Sequence, residues 1–169
     1  MIKGLASTIA ELRKFGEKAE KLINAETQAI AIQIETDAKK LAPKNFGKLA
    51  QSISRLKVKP ALYKVTVNEL YGVYLEFGTG TKVNVPAEFA DMANTFKGKK
   101  QGTFKQGLEA IKVWCKAKGI PVEAAYPIFA KILGAGINPQ PFLYPAYIKG
   151  KSEYIKNLNT LLKNLNKKI

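Results

Sequence analysis

Catalysis near neutral pH needs a group that exchanges a proton or carries a nucleophile, and this sequence offers few. It contains no histidine. That removes Ser-His-Asp and Cys-His arrangements, histidine-containing zinc sites and the commonest general base. The single cysteine, Cys115, lies in Ile111-Lys-Val-Trp-Cys-Lys116. The pattern there is helical, where a small buried hydrophobe is the ordinary role, and only lysines are at hand to favour a thiolate. One cysteine also cannot close an internal disulfide. Glu35 and Asp37 stand two apart on a helical stretch, so their side chains do not face each other. The remaining acidic residues show no metal-ligand spacing. We therefore expect no catalytic residue, no cofactor and no metal.

Two glycine-lysine stretches invite comparison with phosphate loops, and both fail. A Walker loop requires Gly-x-x-x-x-Gly-Lys and then Ser or Thr, between a strand and a helix. In Gly78-Thr-Gly-Thr-Lys82 the spacing is wrong and Val83 follows the lysine. At Gly98-Lys99 the first glycine is replaced by Ala93 and the hydroxyl residue by Lys100. The first stretch reads instead as a turn.

Charge is the strongest compositional signal. The 169 residues carry a formal net charge of +15, almost all from lysine, with Arg13 and Arg55 the only arginines. Ammonium groups act as point charges, so such a surface suits diffuse attraction to polyanions. Base reading in a groove usually recruits arginine, asparagine or glutamine. Lys97, Lys99 and Lys100 form one local cluster, and Lys149, Lys151, Lys156, Lys163, Lys167 and Lys168 line the last helical stretch. Solvated helix faces are the alternative meaning of both. No run of about 18 apolar residues exists, so no membrane-spanning helix is expected. The N-terminus lacks the apolar core of a signal peptide, which points to a protein made in a cytoplasm.

The elements that carry these residues follow from periodicity. Residues 2–42 are helical in spacing: Ile2, Leu5, Ile9 and Leu12 repeat at three and four, as do Ile30, Ile34, Ala38 and Leu41. We read one long helix, with Gly16 as a candidate kink, or two helices in line, ended by Pro43. Such a helix spans roughly 60 Å at about 1.5 Å per residue, more than a domain of this size covers with its own core. Part of it is expected to pack on a neighbouring subunit, with a coiled coil as the other reading. Short strands are expected over 50–78. Leu56 and Val58 alternate with lysines while Ile53 is out of phase, which suggests a bulge near Ser54. Tyr63, Val65 and Val67 form one face of a second strand. Tyr71, Val73, Leu75 and Phe77 form that of a third, with Glu76 on the opposite face in reach of Lys64 or Lys57. A loop with a short helix (about 87–96) occupies 79–104, with a mobile tip at 97–103. A helical insertion covers 104–136: one helix to about 118 with Leu108, Ile111 and Cys115 on one side, and another over about 121–134. The last helix spans about 143–167, with Ile148, Ile155, Leu158, Leu162 and Leu165 on its apolar side. Composition and length fit a single domain over 1–169.

Several of these segments, in this order, resemble one family. Ala38-Lys-Lys-Leu-Ala-Pro43, Gly47-Lys-Leu49 with Ser52-Ile53, Tyr71-Gly-Val-Tyr-Leu-Glu-Phe-Gly-Thr79, Trp114-Cys-Lys-Ala-Lys-Gly-Ile120 and Gly136-Ile-Asn-Pro-Gln-Pro-Phe-Leu-Tyr-Pro-Ala146 are similar to stretches of the tail-completion (head–tail joining) proteins of long-tailed bacteriophages. The resemblance implies an α+β fold, with a small antiparallel sheet of three or four strands packed by a long N-terminal and a C-terminal helix. It implies a virion protein, assembled in the host cytoplasm. It would form a ring with itself, six-fold by expectation, at the junction of tail and neck. Its partners would be the neck connector and the tail tube or tail terminator, with DNA in the lumen and no membrane. Tyr74, Glu76, Phe77, Gly78, Thr79, Pro141 and Phe142 are the expected oligomer or docking residues, and Lys97, Lys99 and Lys100 the polyanion-facing loop. The alternative is a basic protein that binds duplex DNA non-specifically.

Overall fold

The computed structural model describes residues 5–44, 47–69, 71–96 and 103–166. The chain is α+β, and its described residues fall into two compact units. The first joins the N-terminal part of the chain to the last helix; the second is the stretch between Tyr71 and Pro141.

The first unit is built on helix α1, Leu5–Leu41, which runs without a break through Gly16 and Asn24. After it come a short helix α2, Lys48–Ser52, and an antiparallel hairpin of β1, Ile53–Lys59, and β2, Leu62–Val67. Helix α7, Leu143–Asn166, completes the unit. Neighbouring faces of α1 meet α7 and the hairpin. Ala38 and Ala42 are almost fully buried, and together with Leu49 and Ile53 they make a core of small and branched side chains.

The hairpin differs from the sequence reading in its inner face. Ile53 pairs with Val67 and Arg55 with Val65, so the bulge expected near Ser54 is absent. The irregularity lies between Lys57 and Lys59, beside the turn, where Ala61 has a positive φ of 53°. Ile53, the out-of-phase residue, is the buried one; Leu56 and Val58 face outward at 62% and 54% exposure. Strand phase follows whichever face is covered. Here the cover is α1, and Arg55 reaches across to Glu35 on that helix.

In the second unit, residues Tyr71–Phe77 form a helix, α3, and not a third strand. The described sheet therefore has two strands, fewer than the three or four expected. Seven residues rich in aromatic and aliphatic side chains fit period two and period 3.6 about equally, so tertiary surroundings decide between them. The buried members are Gly72, Glu76 and Phe77, a helical and not an alternating set. Glu76 is thus on a helix, and the cross-strand pairing expected for it has no sheet in which to form. A 3-10 turn, Ala87–Phe89, leads into α4, Ala90–Phe96. Next is α5, Phe104–Ala117, whose start is secured by a reciprocal capping box of Thr103 and Gln106. A 3-10 turn, Val122–Ala124, then leads into α6, Ala125–Ala135. Cys115, Ala125 and Phe129 are buried where α5 meets α6, and Phe104 packs edge-on against Phe129 with ring centroids 5.1 Å apart.

Candidate docking surface

Two of the stretches that carry the resemblance, the end of Tyr71–Thr79 and the start of Gly136–Ala146, meet in the second unit. Past the end of α3, Gly78 and Thr79 turn the chain, and the backbone after α6 lies against them. Thr79 N donates to the Ile137 carbonyl (3.1 Å), and Ile137 N donates back to Thr79 Oγ1 (2.8 Å). Gln140 N donates to the Leu75 carbonyl (2.7 Å) at the C-terminal end of α3, and Asn84 N to that of Phe77 (2.8 Å). These bonds serve helix-end carbonyls that have no partner within α3. The approach is close because it is made of glycine. A Cβ on Gly78 would stand 2.8 Å from the Lys82 carbonyl oxygen, and one on Gly136 1.9 Å from that of Thr79. This stretch is a backbone weld between two loops.

Of the expected docking residues, Phe77, Gly78 and Thr79 lie in this stretch, Tyr74 and Glu76 on α3 before it, Pro141 at the end of the second unit and Phe142 in the first unit. Phe77 and Phe142 are buried at 5% and 1% exposure, and Glu76 at 6%. Gly78 is buried, Tyr74 and Thr79 are half-buried, and Pro141 is exposed. Phe77 also stacks at a tilt on Phe89, centroids 6.2 Å apart. What these residues can offer a neighbour is the shape of a fixed turn more than their own side chains. Lys97, Lys99 and Lys100 lie outside the described residues.

Large apolar side chains are open in both units, among them Val83, Val113, Tyr126 and Leu133 in the second; in the first they include ones that the sequence reading had placed inward. On α7 the side meeting α1 uses Ala146, Gly150 and Leu165, which are buried, with Tyr154 bonded through its hydroxyl to Thr27 (2.9 Å). A Cβ on Gly150 would fall 2.4 Å from Ile34 Cγ1, so this contact is as close as two helices allow. Ile148, Ile155 and Leu162, the bulkier stripe, therefore face away, at 38%, 53% and 52% exposure. The small residues Ala146 and Gly150, four apart, were the available sign of close helix packing. The exact seven-residue spacing of the outer three was the sign of a second seam. Leu56, Val58 and Leu62 on the outer hairpin face, and Ile9 and Leu12 on α1, are likewise open.

Electrostatics inside the first unit are local. Glu35, buried on α1, accepts from Lys39 on the next turn and from Arg55 of β1. The bond from Lys39 and then that from Arg55 hold its carboxyl below the usual glutamate range, against the opposing effect of burial. Lys149 of α7 donates to Asp37 of α1 (2.8 Å), which raises the lysine above its ordinary value. Both pairs fasten α1 to its neighbours. Among the described residues no group of histidine, cysteine, aspartate or glutamate side chains is arranged to hold a metal. Nor is any helix among them long and apolar enough to cross a membrane.

No curated protein and no solved structure matches the chain. One family model does, over residues 6–78, from the first turns of α1 through both strands and α3 to the glycine that begins the turn. The stretches at 114–120 and 136–146 lie beyond it. Over residues 6–78, then, the chain is a match to the family described as "Bacteriophage HK97-gp10, putative tail-component", a family of phage tail components.

Proposed function

We propose that this protein is a structural virion component that forms a ring at the head–tail junction, completing the tail and docking it to the neck connector. The observation that carries the reading is the apolar surface left open on a chain matched to phage tail components. Bulky aliphatic side chains at heptad spacing lie on the outside of α7, and others lie on the outer hairpin face and on the first turns of α1. Clustered exposed apolar side chains mark sites of association. A closed ring repeats one head-to-tail contact, so each copy must present two different surfaces, and this chain has more than one to offer. The six-fold count comes from the resemblance. The work is mechanical and requires no reactive group. The lysine-rich charge suits a lumen through which DNA passes, attracting phosphate without reading bases.

Light scattering on the purified protein, with negative-stain micrographs of the same sample, tests the ring. Closed rings of uniform diameter are expected. A monomer at high concentration that also fails to assemble on isolated tail tubes refutes it.

A further inference from the structure

Lysine occurs throughout the chain, and on the longer helices it is mixed with carboxylates. On the first turns of α1, Arg13, Lys14, Lys18 and Lys21 are interspersed with Glu11, Glu17 and Glu20. Lys112 pairs with Glu109 on α5, and Lys149 of α7 with Asp37 of α1. Also on α7, Lys151 lies over the Tyr147 ring at 5.7 Å, and Lys156 is one turn from Glu153. The hairpin is different. From Lys48 to Asn68 there is no aspartate or glutamate, while Lys48, Arg55, Lys57, Lys59 and Lys64 are all basic. The neighbouring elements add no unanswered acid. On α1 between residues 22 and 41 the acids are Glu26, Glu35 and Asp37, held by Asn157, by Lys39 and Arg55, and by Lys149. The only charge on α2 is Lys48, and Glu69 stands past the end of β2 away from the turn.

The tip of the hairpin stands clear of its support: every residue from Arg55 to Leu62 is exposed. Its cations lie on both faces. Lys57, opposite Tyr63, shares the face of Arg55, which reaches Glu35; Lys64, opposite Leu56, is on the other. Lys59 stands beside the turn, opposite Leu62. Lys57, Lys59 and Lys64 form no ion pair among the described residues. A flat acidic protein surface would meet one face of such a ribbon. A DNA groove presents phosphates on both sides, and the major groove, about 12 Å wide, admits a two-stranded ribbon. Residues 56–64 include no arginine, asparagine or glutamine, so nothing there is suited to reading a base. We propose that the tip of the β1–β2 hairpin is the surface by which this chain binds duplex DNA, with Lys57, Lys59 and Lys64 against backbone phosphates and without sequence preference. The contact itself needs one copy; its place in a lumen rests on the ring reading.

Fluorescence anisotropy of the full chain on a random duplex, over a salt series, tests it. Each phosphate contact contributes about 0.9 to the slope of log K against log salt. Lys57→Gln/Lys59→Gln/Lys64→Gln is expected to lower that slope by about 2–3. Each single variant should lower it by about 1, so the test stands even where the triple variant does not fold. Lys151→Gln/Lys156→Gln/Lys163→Gln on α7 removes the same charge and is expected to lower it by less than about 1. Equal losses from the two triple variants mean attraction by net charge alone and overturn the proposal, as does a larger loss from α7. No binding by the parent at low salt also overturns it, and leaves lysines that only keep sheet edges apart. Polyglutamate that displaces the probe as well as unlabelled duplex of equal charge would make the ligand an acidic protein surface instead. Micrographs of the same samples separate this contact from the ring. Rings with an unchanged slope in the hairpin variant overturn the contact alone. A lowered slope in a protein that forms no rings supports the contact and refutes the ring.

Discussion

Gly136 is the most informative single position, because backbone strain and a backbone clash coincide there, as they do less severely at Gly78, while Gly119 and Gly16 lack one or both. It ends α6 at φ 80°, ψ 178°, a combination that residues with a Cβ rarely adopt. Forcing alanine into it costs about 1–3 kcal/mol. The added Cβ would also sit 1.9 Å from the Thr79 carbonyl oxygen and 2.6 Å from its carbon, both backbone atoms. The Thr79 turn must retreat, straining or breaking its two bonds with Ile137, at about 1 kcal/mol each. Gly136→Ala should therefore destabilise the second unit by about 3–5 kcal/mol. Gly119→Ala is the control for strain alone: φ is 67°, but no other atom lies within 4 Å of the new Cβ, so the cost is about 1–2 kcal/mol. Gly16→Ala carries neither cost, being on α1 with open space around it, and should stabilise by about 0.5–1 kcal/mol. Urea unfolding followed by the fluorescence of Trp114, the only tryptophan, reads the first two in their own unit. Circular dichroism reads the third. The reasoning is refuted if Gly136→Ala lies within about 1 kcal/mol of the parent, or costs no more than Gly119→Ala.

Three further outcomes follow from named contacts. Glu35 has a depressed folded-state pKa, so its ionised form favours folding above the ordinary glutamate value, near about 4.3, and that stability is lost as pH falls through the folded value. Glu35→Gln should lower the urea midpoint near neutral pH and flatten the acid limb; an unchanged acid limb would show that the Lys39 and Arg55 contacts contribute nothing. Gly150→Ala gains helix propensity of about 1 kcal/mol but drives a Cβ into Ile34, for a net loss of about 1–2 kcal/mol. A double-mutant cycle with Ile34→Ala should show coupling of at least about 0.5 kcal/mol, and strict additivity would disprove the close approach. Lysine charge without a base-reading surface predicts weak duplex binding with about micromolar dissociation at low salt, falling steeply between about 50 and 200 mM. Fluorescence anisotropy on a random duplex measures it, and no binding at low salt removes DNA from the set of partners.

Much of the secondary structure was legible because it is written in spacing over long windows. The three-four repeat traced α1, and Pro43 bounds it within a few residues of its observed C-terminal end. Pro121, Gly119 and Gly136 punctuate the helical insertion where the structure changes direction. Gly78–Thr79 and Gly136–Gln140 both fall within stretches that carry the resemblance, and the structure hydrogen-bonds them to each other. Short segments were less readable. Tyr71–Phe77 has too few residues for period two to be told from 3.6, and it became a helix whose end carbonyls are served by distant backbone donors.

The inner and outer faces were the other loss, and the cause is general. An amphipathic stripe says that some surface is to be covered, and leaves open by what. Ile148, Ile155 and Leu162 looked like core because they are large and periodic; α1 instead took the side of α7 that holds Ala146 and Gly150, where two helix backbones can come closest. In β1 the same choice put Ile53 inside and Leu56 and Val58 outside. Residue types and their spacing were enough to set the long helices, the hairpin, the basic charge and the lack of histidine chemistry. Which stripe is buried within the chain and which is left for a neighbour depended on the distance at which α1 meets its partners, and that distance is a property of packing between segments far apart in sequence.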